Sequence, residues 1–407
     1  MKGRELQIML ALYLSPIYII LNAYLLIRIL RWMAACHQIC EHPIIKVGFT
    51  ILYIFLATSL LSGFLFPEGE GKRICKLIGN YWLGTLLYLS LAILTADFLR
   101  ILLNLNPRIQ GNPVLHTRQF FAVAGSVCAI VGIVLSTWGL INARIIRTTP
   151  YKVTVHKAAG SLTSLNVVLV ADLHMGYNIG TKHISNMVHK INAQDPDLVV
   201  IAGDIFDNEY EALKDPEELE EILRGIQSKY GVYACYGNHD IEERILAGFT
   251  FHAKGEEKAS DPRMDEFLAK SNITLLHDDG VLIDDSFYLF GRADASRPGK
   301  DINTRMSPQE ITDTMDKSKP ILVIDHQPKE LSELSDAGVD LDLCGHTHDG
   351  QMFPGNLTVR FVWENACGYL KKDKMHNIVT SGVGIFGPNM RVGTKSEICP
   401  IQVTFEP

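Results

Sequence analysis

The sequence predicts an α/β domain preceded by an all-α membrane region. Two patterns lead there. Four long apolar stretches fall within residues 1–150, whereas from residue 165 onward short apolar runs alternate with amphipathic ones. Charge divides in the same way, with 13 Lys/Arg against 5 Asp/Glu in residues 1–150 and 25 against 40 in the remainder. A third observation points to a site: several of the short runs stop on Asp, Asn or His. Open α/β folds place ligands outside the carboxyl ends of their strands.

The totals agree. A chain of 407 residues, 47% hydrophobic, with a mean hydropathy of +0.12, is too long for one small domain and rather apolar for a soluble one. No basic stripe runs through the acidic half, so nucleic acid is not expected as a partner; divalent cations suit it better. Eight cysteines follow neither a disulfide framework nor a zinc-knuckle spacing. Cys128, Cys235 and Cys344 lie in apolar runs and read as buried free thiols.

The apolar stretches Ile8 to Ile27, Val47 to Phe66, Leu77 to Leu103 and Phe120 to Ile141 are each near the roughly 20 residues that span a bilayer. They predict a four-span membrane region over residues 1–145. Four spans place both ends on one side, and Lys/Arg in the flanking segments favour the cytoplasm by eight to six. Asp97, inside the third span and three residues before Arg100, reads as a helix-end ion pair reaching the headgroups. Residues 146–163 read as a connector with a short strand at Tyr151 to Val155, and 164–407 as the second domain. There, strands are predicted at Leu165 to Val170, Leu198 to Ile201, Val232 to Cys235, Ile273 to Leu276, Val281 to Ile283, Phe287 to Gly291, Ile321 to Ile324, Val339 to Cys344, Asn356 to Phe361 and His376 to Ser381. Helices are predicted at Thr181 to Ile191, Glu217 to Gln227 and Met306 to Met315, with residues 241–263 as a lid. Such alternation argues for βαβ units with right-handed crossovers.

The chemistry gathers just past the buried runs. Asp172 and His174, Asp204, Asn238 and His239, His326, and His346 and His348 each follow one. Carboxylate, imidazole and amide oxygen suit Mn, Fe or Zn, and the set contains no cysteine. Each residue alone reads equally well as a cap or a core histidine; their shared position does not.

Asp172-Leu173-His174, Gly203-Asp204, Gly237-Asn238-His239-Asp240, His326 and Gly345-His346-Thr347-His348 resemble, in order, the motifs of the calcineurin-like metallophosphoesterases. The neighbourhoods of His326, Gly345 to Gln351 and Ser381 to Gly384 further resemble a bacterial membrane-associated branch that includes UDP-2,3-diacylglucosamine pyrophosphatases. The resemblance implies a two-sheet β-sandwich flanked by helices, binding two divalent metal ions. One ion would be held by Asp172, His174, Asp204 and His348, the other by Asp204, Asn238, His326 and His346, with Asp204 bridging. His239 would contact phosphate or protonate the leaving oxygen, and Asp240, where many relatives have Glu, would orient it. Two such ions clamp a phosphate and activate water.

Arg292 and Arg391 are candidate phosphate clamps. Asp207, Asp349 and Gln351 are candidate supports of the ligands or of their loops, and Ile385-Phe386 is a candidate apolar platform. The expected activity is hydrolysis of a phosphoester or pyrophosphate bond in a nucleotide-linked lipid precursor at the bilayer. A phosphatase or phosphodiesterase on a non-lipid substrate, or a catalytically silent membrane scaffold, are the alternatives.

Overall fold

The computed structural model describes residues 2–66, 69–107, 109, 111–241, 244–246, 249–251, 260–299, 302 and 304–407; of residues 2–15, 60, 62–65, 244–246 and 249–251 it describes only the backbone. The chain divides into two compact units. One comprises Met1–Ile141 with Ile245–Phe251 and Gly387–Met390, and the other holds the remainder. The lid expected at 241–263 falls largely outside the described residues.

The first unit is built on four helices: α1 (Lys2–Cys36), α2 (Pro43–Leu65), α3 (Glu70–Leu105) and α4 (Arg118–Ala143). Among the described residues, Pro16–Cys36, Glu70–Leu105 and Arg118–Ala143 are long and apolar enough to cross a membrane. The four-span expectation is corrected to three candidate spans. In α2 (Pro43–Leu65) the apolar run within the described residues is Pro43–Ser59, shorter than the other three. The flanking-charge count assumed four spans, so it no longer assigns a side. Leu25, Tyr53, Leu86, Ile93 and Cys128 pack the unit's core. Asp97 pairs with Arg28 of α1 and accepts from the Tyr24 hydroxyl, rather than reaching outward beside Arg100. A carboxylate at membrane depth is matched by a cation from a neighbouring helix.

The second unit begins with β1 (Ile146–Thr148), β2 (Tyr151–Val155), β3 (Ser164–Val170), α5 (Thr181–Asn192), β4 (Leu198–Ala202), α6 (Pro216–Arg224) and β5 (Val232–Cys235). A short ribbon, β6 (Arg244–Leu246) and β7 (Phe249–Phe251), is followed by α7 (Pro262–Lys270), β8 (Ile273–Leu275), β9 (Asp279–Ile283), β10 (Phe287–Gly291), α8 (Pro308–Asp313) and β11 (Ile321–Ile324). Then come α9 (Leu331–Ala337), β12 (Leu341–Cys344), α10 (Gly355–Thr358), β13 (Gly368–Lys372), β14 (Met375–Val379) and β15 (Ser396–Phe405).

Among the described residues, one sheet runs β1-β15-β3-β4-β5-β8 with β2 also on β15, and the other runs β13-β14-β12-β11-β10-β9. The two-sheet α/β expectation holds. Within the connector, the short strand expected at Tyr151 to Val155 is β2, preceded by β1, and both pair parallel with β15. The strand expected at Asn356 to Phe361 is instead α10 and a 3₁₀ turn, Val359–Phe361.

Strand periodicity sorts the side chains. On β3, Leu165, Val167 and Leu169 enter the core shared by the two sheets with Leu322, Ile324, Leu341 and Leu343, while Val168 and Val170 face a second core with α5. Helix α5 offers Ile184, Met187, Val188 and Ile191 at helical spacing. Every residue of β4 is buried, as expected of a parallel strand covered on both faces.

β15 is the strand the sequence hid, because Pro400 reads as a breaker. Yet Cys399 to Thr404 pair antiparallel with β3 while Ile401 to Phe405 pair with β2. Ile401 is fully buried in the core between the sheets. Ile401→Ala should therefore cost about 2–5 kcal/mol, while Gln402→Ala, on the exposed face, should change stability by less than about 0.5 kcal/mol. Thermal unfolding of the detergent-solubilised chain checks both.

Candidate metal centre

The site is assembled at the carboxyl ends of β3, β4, β5, β11 and β12. Past β3 and β4 the two loops stay hydrogen-bonded to each other, with Asp172 N–H donating to Gly203 O and His174 N–H to Asp204 O, both at 3.0 Å. The chain must turn sharply there to aim side chains into the gap. Asp172, His174, Asp204, His346 and His348 all take left-handed backbone conformations, with φ between 45° and 73°. Asp and His tolerate that region better than branched residues, and such strain gathers at functional sites. Gly237 allows a close approach: a Cβ there would lie 2.2 Å from Asp204 Oδ1.

The ring nitrogens crowd together. His174 Nε2 and His348 Nε2 are 3.0 Å apart, and each lies 3.6 Å from a carboxylate oxygen, of Asp204 and Asp172 respectively. His326 Nε2 lies 3.1 Å from Asp204 Oδ2, 3.1 Å from His346 Nδ1 and 3.2 Å from Asn238 Oδ1. Its other nitrogen, Nδ1, donates to Ala202 O at 2.9 Å, which fixes the tautomer that turns Nε2 inward. Among the described residues three sets could hold a cation: His174–Asp207–His239, and the pair Asp172–His174–His348 and Asp204–His326–His346. The two members of that pair are separated by little more than the Asp204 carboxylate.

Burial sets the proton affinities. It pushes His174 and His346 down to about 3 and His239 to about 4, and it raises Asp172 to about 7. His326 runs the other way: burial alone would lower it, but Asp204 and Asp172 raise it. Asp204 is held low by His326 and His239 against the burial that would raise it. One proton on His326 thus serves several lone pairs that converge on the same point. The buried His174 Nδ1 has no hydrogen-bond partner among the described residues. Such a donor set fits divalent cations, whose binding would displace protons.

Several roles differ from expectation. Asp240 does not orient His239. Its two oxygens accept from Phe206 N–H at 2.8 Å and Gly237 N–H at 2.7 Å and so tie the loops together; this buried carboxyl is raised to about 8 by desolvation, then by Asp204. Asn208 takes the orienting place, its Oδ1 2.8 Å from His239 Nδ1. Arg292 and Arg391 are fully buried and already engaged. Arg292 bonds Asp325 at 2.8 Å and Glu330 at 2.7 Å; Arg391 donates to Ser381 O at 2.6 Å and Gly384 O at 2.8 Å and reaches His348 Nδ1 at 3.3 Å. Neither is a clamp open to phosphate.

The cation that sequence reading missed is Arg297, which donates to Asn238 O at 2.7 Å and whose charge lowers His239 further. Only its place in a Gly/Pro-containing loop marked it. Phe386 is placed as an apolar platform, its ring 4.4 Å from that of His239, and Gln351 pins it through both Phe386 N–H and C=O. Ile385 points into the core instead.

Comparison with known proteins places this geometry. Residues 165–350 match the family model described as calcineurin-like phosphoesterase. A zebrafish "transmembrane protein with metallophosphoesterase domain" is 28% identical over 67% of this chain and 61% of its own length. An uncharacterized metallophosphoesterase of Campylobacter jejuni is 27% identical over 86% of this chain and 87% of its own. A UDP-2,3-diacylglucosamine pyrophosphatase of Chlamydia trachomatis is 21% identical over 70% of this chain and 98% of its own. The chain spans about three fifths of the zebrafish protein and of its cattle counterpart.

A pH prediction follows from His183 of α5, which bonds Val383 O at 3.0 Å beside the site. Burial holds it down to about 4 despite that bond, against about 6.5 in an unfolded chain. Its contribution is complete above the unfolded value and is lost as pH falls from about 6.5 toward about 4. His183→Gln should flatten the stability loss across that window, seen in urea midpoints at about pH 7 and about pH 5.

Proposed function

Because residues 165–350 form a domain of the calcineurin-like phosphoesterase family, we propose that this chain is a membrane-linked hydrolase of phosphoester or pyrophosphate bonds. The observation that carries the reading is the convergence of Asp172, His174, Asn238, His326, His346 and His348 around Asp204, with ring nitrogens 3.0 to 3.6 Å from one another or from carboxylates. Asp172, His174, Asp204 and His348 would hold one divalent ion, and Asp204, Asn238, His326 and His346 the other. Mn, Fe and Zn all suit these donors. Bound there, the ions would polarise phosphoryl oxygens and acidify a water.

The chain's own groups do the rest. Asn208 orients His239 by accepting from Nδ1, leaving Nε2 to exchange a proton with the leaving oxygen. Without substrate this imidazole is neutral because it is buried. A phosphate anion beside it raises its proton affinity, so the acid is charged where it is used. Arg297 adds positive charge next to the same ring. Phe386 covers His174 and His239, with ring centroids 5.6 and 4.4 Å away, and sheds water from that side.

The substrate we favour is lipid-linked. Three apolar helices able to cross a membrane and the distant likeness to a pyrophosphatase of a nucleotide-linked lipid support it. Turnover of an aryl phosphate, its diester and UDP-diacylglucosamine with Mn, Fe or Zn should show the lipid cleaved best. Cleavage of the diester alone would overturn the lipid assignment. Asp204→Ala should abolish both metal content and hydrolysis; retention of both would end the mechanism. His239→Ala should keep the metal and lower kcat by about 10²- to 10⁴-fold. A cytoplasmic domain belongs to this proposal, since a nucleotide-linked precursor is met on that side. A C-terminal reporter fusion active only outside the cytoplasm would refute it.

A further inference from the structure

The phosphoesterase domain exposes large apolar side chains together in one short segment that the site does not use. Phe353 is 45% exposed, Leu357 53%, Phe361 89% and Val362 75%, all within α10, the 3₁₀ turn and their ends. Clustered exposure of this kind marks an interaction surface. The segment leads into Trp363, whose ring stands edge-on to His346 with centroids 5.1 Å apart. Beside it opens a cleft of about 550 Å³, whose lining includes Trp363, His346, Lys329 and Gln327.

The composition identifies the occupant. Aromatic and aliphatic side chains are interrupted by Arg360, 68% exposed, and flanked by Lys329 with its ammonium 5.6 Å over the Trp363 ring. Apolar groups with basic residues among them are the signature of interfacial insertion, where rings sit at headgroup depth and cations meet lipid phosphates. Nearby acids include Asp349, 3.8 Å from Arg360, Glu364, bonded to Lys372, and Glu330 in the cleft lining, paired with Arg292 and Arg305, so each is already matched by a cation. A bilayer is also at hand by connectivity. The domain's first residue, Asn142, lies in the last turn of the apolar helix α4, so no linker separates them.

We propose that segment 353–363 inserts its exposed side chains into the headgroup layer of a lipid leaflet, and that lipid substrates enter the metal centre through the adjoining cleft. The second clause rests on the phosphoesterase reading; the first stands without it.

The test separates the two. Phe361→Cys in the full chain, labelled with an environment-sensitive dye and placed in nanodiscs, should shift to the blue and be quenched by lipids brominated near the headgroup. A label at Asp285→Cys, a position whose side chain is 88% exposed, should do neither; the unsubstituted chain is the labelling blank. A Phe361 label as wet as that at Asp285 would overturn the proposal. So would shielding in detergent that grows with protein concentration, because a second copy would then be the occupant. Phe361→Asp should slow hydrolysis of a vesicle-embedded phosphoester about tenfold or more while leaving a soluble aryl phosphate unchanged. Equal rates on both substrates would refute entry by this route. Failure of every form on the aryl phosphate would remove the phosphoesterase reading and leave the dye result standing.

Discussion

Desolvated imidazoles held against one another are the constraint on which the rest of the domain depends. Two nitrogens 3.0 Å apart, those of His174 and His348, can share one hydrogen and no more. A few ångströms away, the lone pairs of His346, Asn238 and Asp204 all point at one nitrogen of His326. A protein interior tolerates such crowding only when a shared proton or a cation satisfies the converging lone pairs. The scaffold therefore has to oppose the tendency of these groups to turn away. It does so with five strand ends, left-handed turns at the key residues, and glycines such as Gly237 where a side chain would strike a carboxylate.

The buried arginines belong to that opposition. Arg391 spends its donors on carbonyls of the Ser381 to Gly384 turn, which in turn bonds the Ala171 and Asp172 carbonyls. Arg292 and Arg305 grip Asp325, the residue before His326. A charge taken fully out of water is costly unless paired, and here each pairing fixes a loop beside a histidine of the candidate centre. Asp240 works in the same manner on the loops after β4 and β5.

Much of this was legible beforehand, for a physical reason. Fully buried parallel strands are short continuous apolar runs, and a polar residue ending such a run can lie only at the strand's rim. That rule found β3, β4, β5, β11 and β12 together with the residues past them. It failed where the signal is three-dimensional. Nothing in the sequence says whether the neighbour Asp240 or the distant Asn208 reaches His239. Nothing separates an arginine that faces a substrate from one that faces carbonyls. β15 was hidden by its proline, and the turns at 355–361 look like a strand because their apolar residues, which a strand would bury on one face, are left exposed on the domain's surface.

The position of β15 also bears on how the molecule is made. This strand lies between β3 and the pair β1 and β2, so β1 and β2 cannot join the sheet until β15 has been made. Local pairings such as β3 with β4 can form early, but the long-range closure must wait, and contacts so far apart in sequence form slowly. By that time α1 to α4 have long since been synthesised. Until β15 is in place, the open edge of β3 must be kept from pairing with other strands.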